Sequence, residues 1–70
     1  MANEVIRMNR IRLILSESPT EKEKMLRNVF VAKMSLKHGI STRTIDDYMK
    51  TLIDADEIEW DNKNMIWRKN

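Results

Sequence analysis

Gly39-Ile40-Ser41-Thr42-Arg43-Thr44-Ile45, continuing through Tyr48-Met49-Lys50-Thr51-Leu52 to Glu57-Ile58, decides how this chain is read. It describes a tight turn, a capped helix and the first strand of a hairpin. Gly39 has access to the left-handed backbone region, which ends one helix and re-aims the chain. The Ser41 hydroxyl can accept a free amide of the next turn, which makes this residue a strong N-cap. Ile45, Met49 and Leu52 recur at i, i+4 and i+7, so one stripe of the new helix faces a core. A helix over 41–55 is predicted.

Downstream lie Glu57-Ile58-Glu59-Trp60, a polar tip Asp61-Asn62-Lys63-Asn64, and Met65-Ile66-Trp67-Arg68. Together they predict a hairpin over 57–68. With Trp60 opposite Met65, Ile58 falls opposite Trp67, and all four side chains share one face that packs on the helices. On that register both tryptophans are expected in the core, with a stacking platform for bases as the alternative.

Upstream, Ser18-Pro19-Thr20-Glu21-Lys22-Glu23 has the form of a helix start. Pro suits the first helical position, and Ser18 with Glu21 makes a capping box, with Thr20 and Glu23 as a second register. The acids also complement the helix dipole. The rows Met25, Val29, Ala32 and Leu26, Phe30, Met34 carry helical spacing onward to His38. A helix over 21–38 is therefore predicted, continuous or broken near Val29–Val31. Residues 4–17 predict a first helix with Met8, Ile11 and Leu15 on one face, flanked by Val5 and Ile14. The branched run Ile11–Leu15 also admits a strand. Ile6 and Leu13 widen the apolar surface beyond one stripe, which suggests a second buried side, against another copy of the chain. The expected core is Ile11, Leu15, Leu26, Phe30, Ile45, Met49 and Leu52.

The order Ile40, Ser41, Arg43, Thr44, Ile45, with Leu52 and Ile58 further on, resembles the recognition-helix signature of winged helix-turn-helix DNA-binding proteins. The likeness extends from about Leu15 to Lys69. It implies a mainly α fold with a small β-hairpin, in the three-helix winged helix-turn-helix arrangement. Family members include transcription regulators, replication initiators and protein-interaction modules, with short stand-alone examples in archaea, their viruses and plasmids. Relatives usually carry Gly where Asp56 stands; Asp tolerates the left-handed conformation less readily, so the helix end can shift by a residue or two.

Seventy residues make one domain, 1–70, without room for a second core. Such a chain buries only about 60% of its unfolded surface, so disulfides, a metal or a partner subunit often reinforce it. There is no cysteine, and His38 is the only histidine, which argues against disulfides, a zinc site or any metal. Oligomerisation is the remaining route, and a homodimer through the N-terminal helix is expected. Met-Ala-Asn-Glu lacks the basic start of a signal segment, and charges interrupt every apolar run. No membrane association and a cytoplasmic location follow as expectations. No phosphate loop, paired-carboxylate motif or nucleophile motif is present, so neither enzyme activity nor a cofactor is expected. His38, just before Gly39, reads as a C-terminal residue that serves the last helical carbonyls.

The net charge is only +2, so its distribution matters more than its total. By the resemblance, double-stranded DNA is the partner and the helix after Ser41 enters the major groove. Thr42, Arg43 and Lys50 would read bases there, with Ser41 and Thr44 near phosphates. That helix is nevertheless acidic: residues 41–56 hold two basic and four acidic side chains. Its outward stripe Arg43, Asp47, Lys50, Asp54 alternates in sign, which also describes a self-neutralised solvated face. Asp47 stands where DNA-binding relatives are often basic. Residues 21–40, with five basic and two acidic side chains, hold more positive charge. Lys22, Lys24, Arg27, Lys33 and Lys37 from this segment, Arg7, Arg10 and Arg12 near the N-terminus, Lys63 at the hairpin tip and Arg68 near its end are the expected backbone contacts. The leading reading is a sequence-specific DNA-binding protein, a transcription regulator acting as a homodimer. The alternatives are a protein-interaction module of a larger assembly, or a plasmid or viral replication factor.

Overall fold

The hairpin closes over three residues, and this sets the position of everything that packs on it. Asp61 Oδ1 accepts the amides of Lys63 (2.9 Å) and Met65 (3.1 Å), and Asn64 adopts the left-handed region at φ 63°. Asn is one of the few non-glycine residues that do so readily. The loop is one residue shorter than the four-residue tip expected from the sequence. The strands β2 (Ile58–Trp60) and β3 (Met65–Arg68) therefore pair as Ile58 with Arg68, Glu59 with Trp67 and Trp60 with Ile66. A one-residue slip exchanges the faces of a strand. Ile58 and Ile66 enter the core, whereas Trp67 and Met65 lie on the outer face. The shared apolar face of Ile58, Trp60, Met65 and Trp67 is not formed, and Trp60 is 58% exposed.

The computed structural model describes residues 2–69; Met1 and Asn70 of the expected 1–70 domain lie outside the described residues. Its elements are α1 (Ala2–Glu17), β1 (Met25–Leu26), α2 (Arg27–His38), α3 (Thr42–Asp54), β2 and β3, with one 3-10 turn at Glu21–Glu23. The fold class expected, mainly α with a small β-hairpin, is the one observed. The sheet is antiparallel in the order β1-β3-β2, so β3 is the central strand.

The helix expected over 21–38 is broken at 24–26, not near Val29–Val31. Met25 pairs with Ile66 and Leu26 with Met65 across the free edge of β3. Pairing with an open sheet edge outweighs local helical preference there. The Arg27 amide, first of α2, donates to the Asn64 carbonyl at 2.8 Å. The expected capping box is absent as well. Ser18 is buried and turns back on α1, its Oγ donating to the Ile14 carbonyl at 2.7 Å. Thr20 makes no side-chain cap either. Leu26, placed in the core by helical spacing, is 43% exposed, since its strand position points it away from Ile66.

The turn into α3 forms as expected. Gly39 sits at φ 67° and its amide donates to the Ser35 carbonyl. Ser41 Oγ accepts the Thr44 amide at 3.2 Å and donates to Thr44 Oγ1 at 2.8 Å. At the far end Asp56 does adopt the left-handed region, at φ 63°. Its amide donates to the Ile53 carbonyl and the Glu57 amide to the Leu52 carbonyl, the paired bonds of a Schellman closure. An ion pair with Lys69 then ties Asp56 to the end of the chain.

The core consists of Ile14, Phe30, Val31, Met34, Ile40, Ile45, Tyr48, Met49, Leu52, Ile58 and Ile66. Ile11 and Leu15 pack at its margin. Ile14, expected to flank the buried face of α1, is instead fully buried. Residues 2–17 form one helix, which removes the strand alternative for Ile11–Leu15. At its C-terminal end Glu17 binds both Lys37 and His38 of α2. His38 is therefore engaged by a carboxylate and not by the helix carbonyls expected.

Two outcomes are expected. Leu52→Ala, at a buried site, lowers the unfolding free energy in urea by about 2–5 kcal/mol, whereas Leu36→Ala, at a residue 87% exposed, changes it by under about 0.5 kcal/mol. The second concerns acid. The Lys37 ammonium, and then the His38 imidazole, hold the Glu17 carboxyl below its ordinary value of 4.5, against partial burial acting in the opposite sense. Its contribution to stability is complete above that value and lost as pH falls through the lowered one. Acid titration of the melting temperature should show this loss, and Glu17→Gln should flatten it.

Candidate nucleic-acid interface

The helix α3 turns Ile45, Tyr48, Met49 and Leu52 inward, which leaves Arg43, Asp47, Lys50 and Asp54 on its outermost ridge. Arg43 and Lys50 are exposed, and among the described residues neither has an ion-pair partner. The two acids of the second turn are held sideways by arginines from the flanking helices. Arg27, at the start of α2, reaches Asp46 with Nη2 at 3.0 Å and Nε at 3.1 Å. Arg7 of α1 lies 3.7 Å from Asp47, stacks over the Tyr48 ring at 5.7 Å and reaches Thr51 Oγ1 at 3.4 Å. The acidity of α3, counted along the chain, is therefore not the charge of its surface. Across α1, α2 and α3 this face holds Arg7, Arg27, Arg43 and Lys50 against Asp46, Asp47 and Asp54.

Thr42 and Arg43 meet α2 and the hairpin at an open cleft, also lined by Leu26, Arg27, Asn28 and Asn64. It lies where the first turns of α2 and α3 approach the hairpin tip. Thr42 is exposed on its rim. Ser41 and Thr44 have a local task, since their hydroxyls bond each other and the Thr44 amide.

The remaining expected contacts are dispersed. Lys33 is exposed on α2, about 200° around the helix from Val31, which lines the cleft, so it faces away from it. Lys37 is engaged with Glu17 at the opposite end of α2. Lys63 is exposed at the hairpin tip, where Asp61 takes its backbone amide and pairs with Lys24 at 3.8 Å. Arg68 lies half-buried at the other end of β3, its amide donating to the Pro19 carbonyl. The structure thus brings together Thr42, Arg43 and Lys50, and leaves Lys33, Lys37 and Arg68 elsewhere.

Arg7 and Arg27, from the basic segments expected to grip the phosphate backbone, join this region, as do Asn28 and Asn64, which were not singled out for it; Trp60 borders it as well. Arg27 was legible as one basic residue among several, but its place beside Asp46 depends on the break of the helix at β1. The sequence placed Trp60 on the helix-facing side of the hairpin, where it lies, but gave no sign of its exposure beside the turn. Trp67, by contrast, is occupied: Nε1 donates to Glu59 Oε2 at 3.1 Å, and Lys24 Nζ stands 5.2 Å from the ring centre.

Among the described residues no group of acidic and imidazole side chains is arranged to hold a metal, and no helix is long and apolar enough to cross a membrane. No protein-family model, curated protein or solved structure matches the chain.

Proposed function

We propose that the protein is a winged helix-turn-helix DNA-binding protein, a transcription regulator that reads duplex DNA with α3. One observation carries this reading: Arg43 and Lys50 stand unpaired on the outer ridge, while arginines from the flanking helices hold the acids beside them. An Arg on such a ridge can donate twice to guanine in the major groove. Arg7, Arg27 and Lys63 border that ridge and suit the phosphates on either side. The capped start of α3 and the hairpin beside it fit the same reading, by the likeness noted at Ile40–Ile45.

The regulator acts as a homodimer through α1. Residues 4–10 of that helix are all exposed, and Val5, Ile6, Met8 and Leu13 present apolar surface to solvent. A helix half detached from its own core needs other apolar contacts to remain helical. Two-fold pairing would set two α3 helices about 34 Å apart on a palindromic site. The protein-interaction reading rests on a different observation: Val29 and Leu36 are exposed on α2, Leu36 at 87%.

Electrophoretic shift against the DNA flanking its own gene is the direct test. Affinity should fall steeply with salt, with a slope near −0.9 per phosphate neutralised. Arg43→Ala should remove about 1–3 kcal/mol of preference for the cognate site and leave non-specific binding nearly intact. Lys63→Ala should weaken all sequences alike. Asp47→Asn should strengthen non-specific binding, since it removes a charge that repels phosphate. If neither Arg43→Ala nor Asp47→Asn alters binding, α3 is not in the groove and the protein-partner reading replaces this one. Sedimentation equilibrium at micromolar concentration should give twice the chain mass of 8.4 kDa; a monomer would remove the dimer.

A further inference from the structure

Trp60 is the large aromatic side chain that the fold leaves open. It follows Ile58 by two residues, so it lies on the side of the sheet that faces the helices, yet it is 58% exposed. Ile58 is buried in the core, whereas Trp60 stands beside the turn, across an open cleft from the last turns of α3. Trp67 has a carboxylate on its indole nitrogen and an ammonium over its ring. Among the described residues Trp60 has neither. Tryptophan is highly buried on average, which makes an uncovered ring informative.

The ring borders a cleft between the hairpin and α3 whose other walls are Ile53, Lys50, Asp54, Arg27 and Asn64. This combination has specific chemistry. An aromatic face beside an apolar floor accepts a flat heteroaromatic group, and Lys50 beside it accepts the phosphate that such a group carries on a nucleic-acid strand. Lys50 is unpaired, while Arg27 is already shared with Asp46.

We propose that Trp60 and Lys50 form a stacking site for an unpaired nucleobase, so that the protein favours DNA in which a duplex opens into single strand. The inference rests on the DNA-binding reading of α3, because Lys50 belongs both to the duplex-facing ridge and to this cleft. A paired base cannot offer its face to a side chain without leaving the helical stack. A single-stranded base offers it freely, and every base has such a face. The site therefore discriminates by strand state and not by sequence. Base identity remains the task of Arg43 on the adjoining turn.

The test compares three fluorescently labelled DNAs at one salt concentration: a blunt duplex carrying the cognate site, the same duplex with a thymidine tail, and the tail strand alone. Anisotropy should give about ten-fold tighter binding of the tailed duplex than of the blunt one, the scale of one stacked base. Trp60→Ala should abolish that preference, so that tailed and blunt duplex bind alike, while Trp60→Phe should retain most of it. Quenching of tryptophan fluorescence by the tailed duplex in Trp67→Phe, where Trp60 is the sole tryptophan, gives a readout independent of the alanine variant. Equal binding of tailed and blunt duplex by the wild type, or a preference that survives Trp60→Ala, overturns the stacking site and leaves the duplex reading standing. Binding of the tail strand without the duplex sustains the stacking site and overturns the duplex reading. Failure to bind any of the three overturns both.

Discussion

Asn64 holds its backbone at φ 63°, and the rest of the molecule is arranged around that residue. With Asn64 in the left-handed region the hairpin closes over three residues, which places Ile66 and not Met65 or Trp67 against the helices. Ile66 is then the residue on which three elements converge: it pairs with Trp60 of β2 and Met25 of β1, and it is fully buried in the core. The carbonyl of Asn64 accepts the first amide of α2, so the same residue sets where that helix begins. A four-residue loop would turn β3 over and place its tryptophan inward. It would also leave the edge that receives Met25 and Leu26 with the wrong faces for the core.

The parts of the fold that were legible in the sequence are those decided within a few residues. Gly39, Ser41 and the stripe Ile45, Met49, Leu52 define the turn, the cap and the buried face of α3 by local geometry alone, and all three are observed. Asp56 belongs with them in part: its left-handed conformation was the open question, and the Schellman bonds to Ile53 and Leu52 hold it there. Ser18 matches a capping box but turns back on Ile14 instead, and Met25 and Leu26 match helical rows, but their partners lie some forty residues away on β3. A local pattern carries no information about an open strand edge that the chain has yet to build. The hairpin register failed for a smaller reason, since the turn type depended on one asparagine.

Charge was misleading in the same way. Counted along the chain, α3 is acidic and an unpromising ligand for phosphate. Counted across the surface, Asp46 and Asp47 are each held by an arginine from another helix, and Arg43 and Lys50 remain unpaired among the described residues. Arg27 lies nineteen residues from Asp46 and Arg7 forty from Asp47, so no rule of helical spacing would join them. Linear charge patterning treats each helix as though it stood alone in water, whereas a binding partner meets the sum over three helices.

That both ion pairs are exposed bears on the proposed DNA contact. Asp46 and Asp47 keep 60% and 65% of their side-chain surface, and such pairs contribute at most about 1 kcal/mol to stability. Their arginines can therefore be transferred to another anion without unfolding the domain. In free solution the carboxylates keep Arg7 and Arg27 extended beside the ridge, which reduces the ordering cost when a phosphate arrives. The acids remain as repulsive neighbours once the arginines leave them, so part of the gain is returned. Asp46 and Asp47 would then lower affinity for any phosphate chain while holding its ligands in position. On that proposal the surface would depend more on contacts of Arg43 with particular bases, and less on charge alone, than a uniformly basic helix would.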